Sequence, residues 1–361
     1  MKFSLAKQVL LDGLNKVAGV VSTRPSMPIL SNVWLEAKEG TLRLKTTNME
    51  LIIATQVPCM VEKAGAITLP AKKLQSIIRE LRDGEVTVEV SGTVATIRCN
   101  RAQFKLNGLS ADEFPGTPVF KESREFRVPQ AMLNKGFRYT EFAIANDGMR
   151  YVLNGIYTSF RDGKLTLVAT DGRRLALFEN ELEFPESLAV DIDIPSRAVA
   201  ELHRLLGDAS EVQIRITTNQ AAFDFGDTLL VTKLIDGNYP NYRQVIPSRY
   251  NERITLSAQE LNETVRRVSL LSAEKANTVS FHFVPGMMKV QSSANMGEAC
   301  EEVPIDYDGR ELPIAFNADY VLAPLKAVGE GEVYLDLIDS SSPGVMRVAD
   351  EFLYVLMPMH L

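Results

Sequence analysis

The run Thr170-Asp171-Gly172-Arg173-Arg174-Leu175 packs hydroxyl, carboxylate and guanidinium groups into six consecutive residues. In strand-rich surroundings Asp-Gly signals a hairpin turn. That accounts for the Asp and the Gly but leaves the paired Arg unexplained. Two Asp-x-Asp pairs, Asp191-Asp193 and Asp306-Asp308, would each put both carboxylates on one face of a strand, an arrangement able to hold a metal. Without further ligands beside them, both read as solvated strand faces. The histidines are His203 in a helical stretch, His282 in the strand-like Phe281-His282-Phe283, and the penultimate His360. Cys59, Cys99 and Cys300 lie far apart without CxxC spacing, so neither a disulfide framework nor a zinc site is expected. HExxH, GxSxG, GxxxxGK[ST] and GxGxxG are absent from the sequence. No nucleophile and base are jointly suggested, so the expectation is a non-enzyme with no catalytic residue, metal or cofactor.

The C-terminal Val355-Leu356-Met357-Pro358-Met359-His360-Leu361 is too apolar to be left in solvent. It reads as the last strand of a core or as part of a groove, and methionines suit a surface that accepts several partners.

Internal repeats organise the elements that must position these residues. Three segments open with a short alternating strand and an amphipathic helix: Phe3-Ser4-Leu5 before AKQVLLDGLNKVAGVV, Phe126-Arg127-Val128 before PQAMLNKGFRYTEFAI, and Ile254-Thr255-Leu256 before SAQELNETVRRVSLLS. Each repeats the device further on: Ile67-Thr68-Leu69-Pro70 leads into AKKLQSIIREL, Ile192-Asp193-Ile194-Pro195 into SRAVAELHRLL, and Ile314-Ala315-Phe316-Asn317 into ADYVLAPLKAV. An acidic-Val strand follows each second helix, at Glu85-Val86, Glu211-Val212 and Glu332-Val333. The first two copies also close alike, in DEFPG (Asp112 to Gly116) and DGNYPNY (Asp236 to Tyr242). The expectation is an α+β chain of three domains, 1–122, 123–247 and 248–361, each with two helices and two antiparallel sheets.

At 45% hydrophobic and 24% charged, the composition is that of a globular protein. Neither an export signal at Met1-Lys2-Phe3-Ser4-Leu5-Ala6-Lys7 nor an apolar run of membrane-spanning length is seen, so a cytoplasmic protein is expected. A net charge of −7 argues against nucleic acid when taken whole. Divided by element, the six helical segments sum to +6 and the remainder to −13. Basic helices on an acidic chain fit long-range attraction to phosphate with few fixed contacts, or simply solvated helix faces.

At these residues the chain resembles the bacterial DNA sliding clamps, the beta subunit of the replicative polymerase. The resemblance runs the whole length. It is carried by Arg24-Pro25 with Pro28-Ile29-Leu30, Arg150-Tyr151 with Leu153-Asn154-Gly155, Ala169-Thr170-Asp171-Gly172, Arg174-Leu175, Lys233-Leu234, Tyr239-Pro240, Tyr242, Ser272-Glu274-Lys275 and Met357-Pro358-Met359. It implies a head-to-tail homodimer, a six-domain ring whose twelve helices face duplex DNA and whose sheets continue across domain edges. The implied interface sets Phe104 and Leu106 against Leu270 and Leu271 of the other copy, with Arg98 and Arg101 approaching Glu298 and Glu302. Implied DNA contacts are Arg24, Tyr151 and Arg197.

The resemblance further implies a groove for short apolar peptide motifs, typically a Gln followed by Leu and Phe. Its lining would be Leu153, Thr170, Gly172, Arg173, Arg174, Leu175, Pro240, Gln244, Val245, Val355, Met357, Pro358, Met359, His360 and Leu361. Implied partners are the DNA polymerase alpha subunit, the clamp loader and other replication or repair proteins, and no membrane. Gln244 and His360 stand where the family often has Arg, Arg173 where it often has His, and Val152 where it often has a second aromatic. A scaffold that presents the same groove without DNA is the other class of reading.

Overall fold

A computed structural model of the chain describes residues 1–22, 27–146, 150–208, 210–273 and 277–359. Arg24, Pro25, Glu274, Lys275, His360 and Leu361, singled out above, lie outside the described residues.

Among the described residues six α-helices are found where the repeats place them: α1 Lys7–Ala18, α2 Ala71–Glu80, α3 Gln130–Thr140, α4 Ser196–Leu205, α5 Ala258–Val268 and α6 Ala318–Val328. In α1 the buried Leu10, Gly13, Leu14 and Val17 recur at the spacing of one helical face. In α2 Ala71, Leu74 and Ile78 do the same. Side-chain caps start the last two. Ser257 Oγ accepts from the Glu260 amide at 3.3 Å, and Asn317 Oδ1 accepts from the Tyr320 amide at 3.2 Å.

The contacts divide the described chain into two compact units, Met1–Ala131 with Ala200–Leu234, and Met132–Val199 with Ile235–Leu361. These cuts fall inside the central repeat, not at the expected boundaries near 122 and 248, and the strand pairing explains why. In the first unit an eight-stranded antiparallel sheet runs Arg124–Pro129, Glu211–Ile216, Gln220–Asp224, Thr228–Lys233, Leu51–Pro58, Thr41–Thr47, Asn32–Lys38, Gly65–Pro70. Its middle joint pairs Leu230 with Ile53 and Val231 with Ile52, across the repeat boundary. In the second unit the order is Val190–Pro195, Gly155–Arg161, Lys164–Thr170, Arg174–Glu181, Phe352–Leu356, Gly344–Val348, Glu332–Leu337, Glu252–Ser257. There Leu175 pairs with Val355 and Leu177 with Leu353. Each repeat thus lends half a sheet to its neighbour, and compactness follows the shared sheet.

Two smaller sheets complete the units. The first is Met60–Lys63, Lys2–Ala6, Glu85–Ser91, Val94–Cys99, Ala102–Asn107, and the second is Gly297–Pro304, Met287–Ala294, Thr278–Val284, Leu312–Asn317.

One carboxylate departs from expectation. Asp191 is exposed and bound by the Arg161 guanidinium at 2.8 and 2.9 Å, as a solvated strand face would be. Asp193, two residues on, is only 8% exposed, and its Oδ1 is a buried atom without a hydrogen-bond partner. The reading of Asp193 as solvated is therefore corrected. The strand lies under the chain that follows Ile235, whose amide donates to the Asp193 carbonyl at 3.0 Å. Asp306 and Asp308 are exposed, but in a loop instead of a strand.

Burial pushes the Asp193 carboxyl up to about 7. Its unfolded value is about 3.9, so the folded state binds more protons between about pH 4 and 7 and stability falls as pH rises through that window. Asp193→Asn should therefore stabilise the second unit progressively across the same window. The gain should reach a few kcal/mol above about pH 7 and little at about pH 4. Denaturant melts at several pH values check this, and a gain independent of pH would contradict it.

Candidate functional site

The outer face of the second eight-stranded sheet carries two parallel rows of side chains. One row runs Asp193, Tyr157, Val168, Leu177, Leu353, Arg347, and the next runs Thr170, Leu175, Val355, Val345, Asp336, Arg253. Alternation puts both rows on the same side. Val168, Leu175 and Val355 form a buried apolar floor, edged by Tyr157, Leu177, Tyr239, Tyr242, Ile246 and Leu353. At the far end Arg253 and Arg347 share the buried Asp336 carboxylate, at 2.6 and 3.0 Å.

The predicted hairpin forms between Lys164–Thr170 and Arg174–Glu181. Gly172 adopts φ 84°, a left-handed conformation that favours glycine at this turn. Thr170 Oγ1 donates to the Arg174 carbonyl at 2.6 Å and accepts from the Gly172 amide at 3.1 Å. Asp171 Oδ1 accepts from the Arg173 and Arg174 amides.

The paired Arg divides its labour. Arg174 points inward, bonds Asp171 at 3.0 Å and the Phe142 carbonyl at 2.6 Å, and lies 4.4 Å above the Tyr320 ring. Arg173 is exposed, and its carbonyl accepts from the Met357 amide at 3.2 Å. Met359 N–H donates to the Ala315 carbonyl at 2.8 Å, so the tail after Leu356 is tied at two points. Arg174 thus locks the turn that holds the tail, while Arg173 remains available at the rim.

The other predicted groove residues are Leu153, buried in a short turn, and the outward-facing Pro240, Gln244, Val245 and Met357, with Pro358 and Met359 half-buried. The sequence reading missed Tyr157, Val168, Leu177, Tyr239 and Tyr242. The alternation in Lys164–Thr170 and Arg174–Glu181, carried across the sheet, was the signal for the first three.

The first eight-stranded sheet contains the same rows, which makes a comparison possible inside one chain. Ile52, Val231 and Ala222 occupy the register of Leu175, Val355 and Val345. Phe114 and Pro115 of DEFPG match Tyr239 and Pro240 of DGNYPNY, and counting on from there Phe120 matches Val245. Phe120 packs onto Ile52, Ala222 and Val231 and covers them. Val245 is 54% exposed. The two covering chains thus differ by one ring at this position.

Among the described residues, the edge strands of the four sheets include two with exposed apolar side chains on them or beside them. Ala102–Asn107 ends the five-stranded sheet and is at least partly exposed at every position, with Phe104 37% exposed and Leu106 half-buried. Gly297–Pro304 ends the four-stranded sheet and presents Glu298 and Glu302 to solvent. Beside it the turn Ser269–Leu271 holds Leu270 79% exposed and Leu271 half-buried. Arg101 is exposed in the turn before Phe104. Arg98 already bonds Glu89 at 2.9 Å and Gln103 at 3.0 Å within its own sheet.

Part of the helical positive charge is also engaged. Lys16 pairs with Asp227 at 2.5 Å, Lys135 with Glu351, and Arg267 with Glu301 at 2.6 Å. Arg204 bonds Glu201 and the carbonyls of Asn15 and Lys16 that end α1. Lys72, Lys73 and Arg79 of α2 are exposed, as are Arg197 on α4 and Tyr151. Among the described residues no group of three His, Cys, Asp or Glu is placed to hold a metal, and no helix is long and apolar enough to cross a membrane.

Comparison with known proteins gives one answer along the whole chain. Three family models of the DNA polymerase III beta subunit match, the N-terminal domain over residues 1–118, the central domain over 127–241 and the C-terminal domain over 243–360. The beta sliding clamp of Proteus mirabilis is 35% identical over 369 residues, covering 100% of both chains. That of Escherichia coli K12 is 33% identical over 368 residues, again covering 100% of both. Among solved structures, a sliding clamp from Pseudomonas aeruginosa bound to griselimycin superposes with a TM-score of 0.95 at 33% identity, covering 100% of each chain. A clamp from Bacillus subtilis gives 0.95 at 29% identity, covering 100% of this chain and 99% of that one. The chain belongs to the DNA polymerase III beta subunit family, the bacterial sliding clamps.

Proposed function

We propose that two copies of this chain close head to tail into a ring around duplex DNA, and that the face of the second sheet around Leu175 and Val355 is the groove through which they tether other proteins. Family membership makes the chain a processivity clamp for DNA polymerase III. The ring reading rests chiefly on one observation, the pair of exposed, unpaired strand edges with apolar side chains beside them. Antiparallel pairing of Ala102–Asn107 with Gly297–Pro304 of the other copy would satisfy both rows of backbone groups and remove both edges. Phe104 and Leu106 would meet Leu270 and Leu271, and the area they bury would outweigh ion pairs from Arg101 to Glu298 or Glu302, worth about 0–1 kcal/mol each when exposed. Arg98 would first have to share or leave Glu89.

In this reading the domains are 1–122, 123–247 and 248–361, and the helices line the hole. The exposed cations of α2, Arg197, Tyr151 and Arg24 would meet phosphate without reading sequence. The protein has no catalytic step to perform and works in the cytoplasm by topology. A polymerase held by its motif stays at high effective concentration beside the primer end and rebinds after each release. The polymerase alpha subunit, the clamp loader and repair proteins would take turns in the same groove.

Two outcomes follow. Replacing Leu270 and Leu271 together by Ala should lower the mass in sedimentation toward one chain, and a full-strength dimer would contradict the edge assignment. Val245→Phe should recreate on the second face the cover that Phe120 provides on the first. It should weaken a Leu-Phe motif peptide about tenfold or more while leaving the dimer mass unchanged. Unchanged peptide affinity would move the groove elsewhere.

A further inference from the structure

The position of Asp193 recurs once in each repeat. Register places Thr68 opposite Trp34, Asp193 opposite Tyr157, and Ala315 opposite Ser280. In the first repeat the position works as a latch. The Thr68 hydroxyl donates to the Leu109 carbonyl at 3.2 Å and accepts from Asn32 Nδ2 at 3.0 Å, and the Leu109 amide donates to the Thr68 carbonyl at 3.0 Å. This holds the chain just before DEFPG against the sheet.

In the second repeat Ile235 takes the place of Leu109, its amide donating to the Asp193 carbonyl at 3.0 Å. Gly155 takes the place of Asn32, opposite Pro195 as Asn32 is opposite Pro70. The exchange removes the side-chain donor and makes room: a Cβ on Gly155 would lie 2.5 Å from Asp193 Oδ1. A carboxylate therefore sits where a hydroxyl serves in the first repeat, and its buried oxygen has no hydrogen-bond partner. An ionised carboxylate can only accept, whereas a protonated one can donate as Thr68 does.

We propose that Asp193 is a positioning residue for the groove: its protonated carboxyl donates to the Ile235 carbonyl and holds the chain that builds the groove wall, and loss of that proton releases it. This deepens the groove reading and rests on it. The held segment runs directly into Tyr239, which edges the groove floor, and into Pro240, Gln244 and Val245.

The groups around Asp193 leave it as the one that titrates near neutrality. On its own strand Asp191 is bound to Arg161 and Ser159 of the neighbouring strand. Tyr157, opposite, is pushed up to about 12, first by burial and then by the Asp191 charge. Tyr239 of the covering segment is raised further, by burial and by the Asp193 charge itself. On that segment Arg243 is engaged with Tyr242, and Asp236 is exposed.

With the proton on, the wall is latched and motif affinity is full. Affinity falls as pH rises through the Asp193 titration and then levels off. Because an unperturbed histidine changes charge between about pH 5 and 8, the test uses His360→Gln as background in the full-length protein. Binding of a synthetic Leu-Phe motif peptide is measured from about pH 5.5 to about 8.5. The expected loss across this range is about fivefold with Asp193 present. It should vanish, with affinity held at the low-pH level, in Asp193→Asn and in Asp193→Thr, the residue the first repeat uses. A profile that is flat with Asp193 present, or equally steep in both variants, overturns the proposal while the groove stands. Absence of peptide binding at every pH overturns the groove reading and the proposal together.

Discussion

Backbone pairing across repeat boundaries is the interaction on which this fold depends. Without it each four-stranded half-sheet would end in a further open edge, at Leu51–Pro58, Thr228–Lys233, Arg174–Glu181 or Phe352–Leu356, and the shared eight-stranded sheets remove that exposure at two joints. The joint between Thr228–Lys233 and Leu51–Pro58, and that between Arg174–Glu181 and Phe352–Leu356, put residues far apart in sequence into register. Among the edge strands that remain are Ala102–Asn107 and Gly297–Pro304. In the proposed ring, the rule that joins the repeats would join one copy to another through these two. Assembly in this account is the continuation of folding between chains.

The proposed groove would be a by-product of the second joint. Leu175 and Val355 are neighbours only because strands from different repeats pair there. A homologous joint exists in the first sheet. The two differ in the covering chain, where Phe120 packs onto Ile52, Ala222 and Val231 and the smaller Val245 at the matching position is 54% exposed.

Much of this was legible in the residues. The strand–helix openings placed all six helices, because each has a buried stripe at helical spacing and a strand directly before it. The Asp171-Gly172 turn was visible for the same local reason. Arg174 was not, because its partners, Phe142 and Tyr320, come from distant segments. Asp193 was misread because alternation gives a residue its face but not what lies across that face. The segment covering it begins at Ile235, more than a strand and a helix away in sequence. Compact units that cut the central repeat were equally hidden, since a repeat describes ancestry of the chain and not which strands will pair. The summed helix charge also overstated the field available to DNA, because ion pairs such as Lys16–Asp227 are invisible before folding.

The central claim is that binding to DNA is topological. It is tested most directly by loading the protein onto a nicked circular duplex, removing free protein, and then cutting the circle once. The account predicts that the protein stays on the intact circle and is lost promptly from the linear product. Equal retention on circular and linear DNA would contradict it.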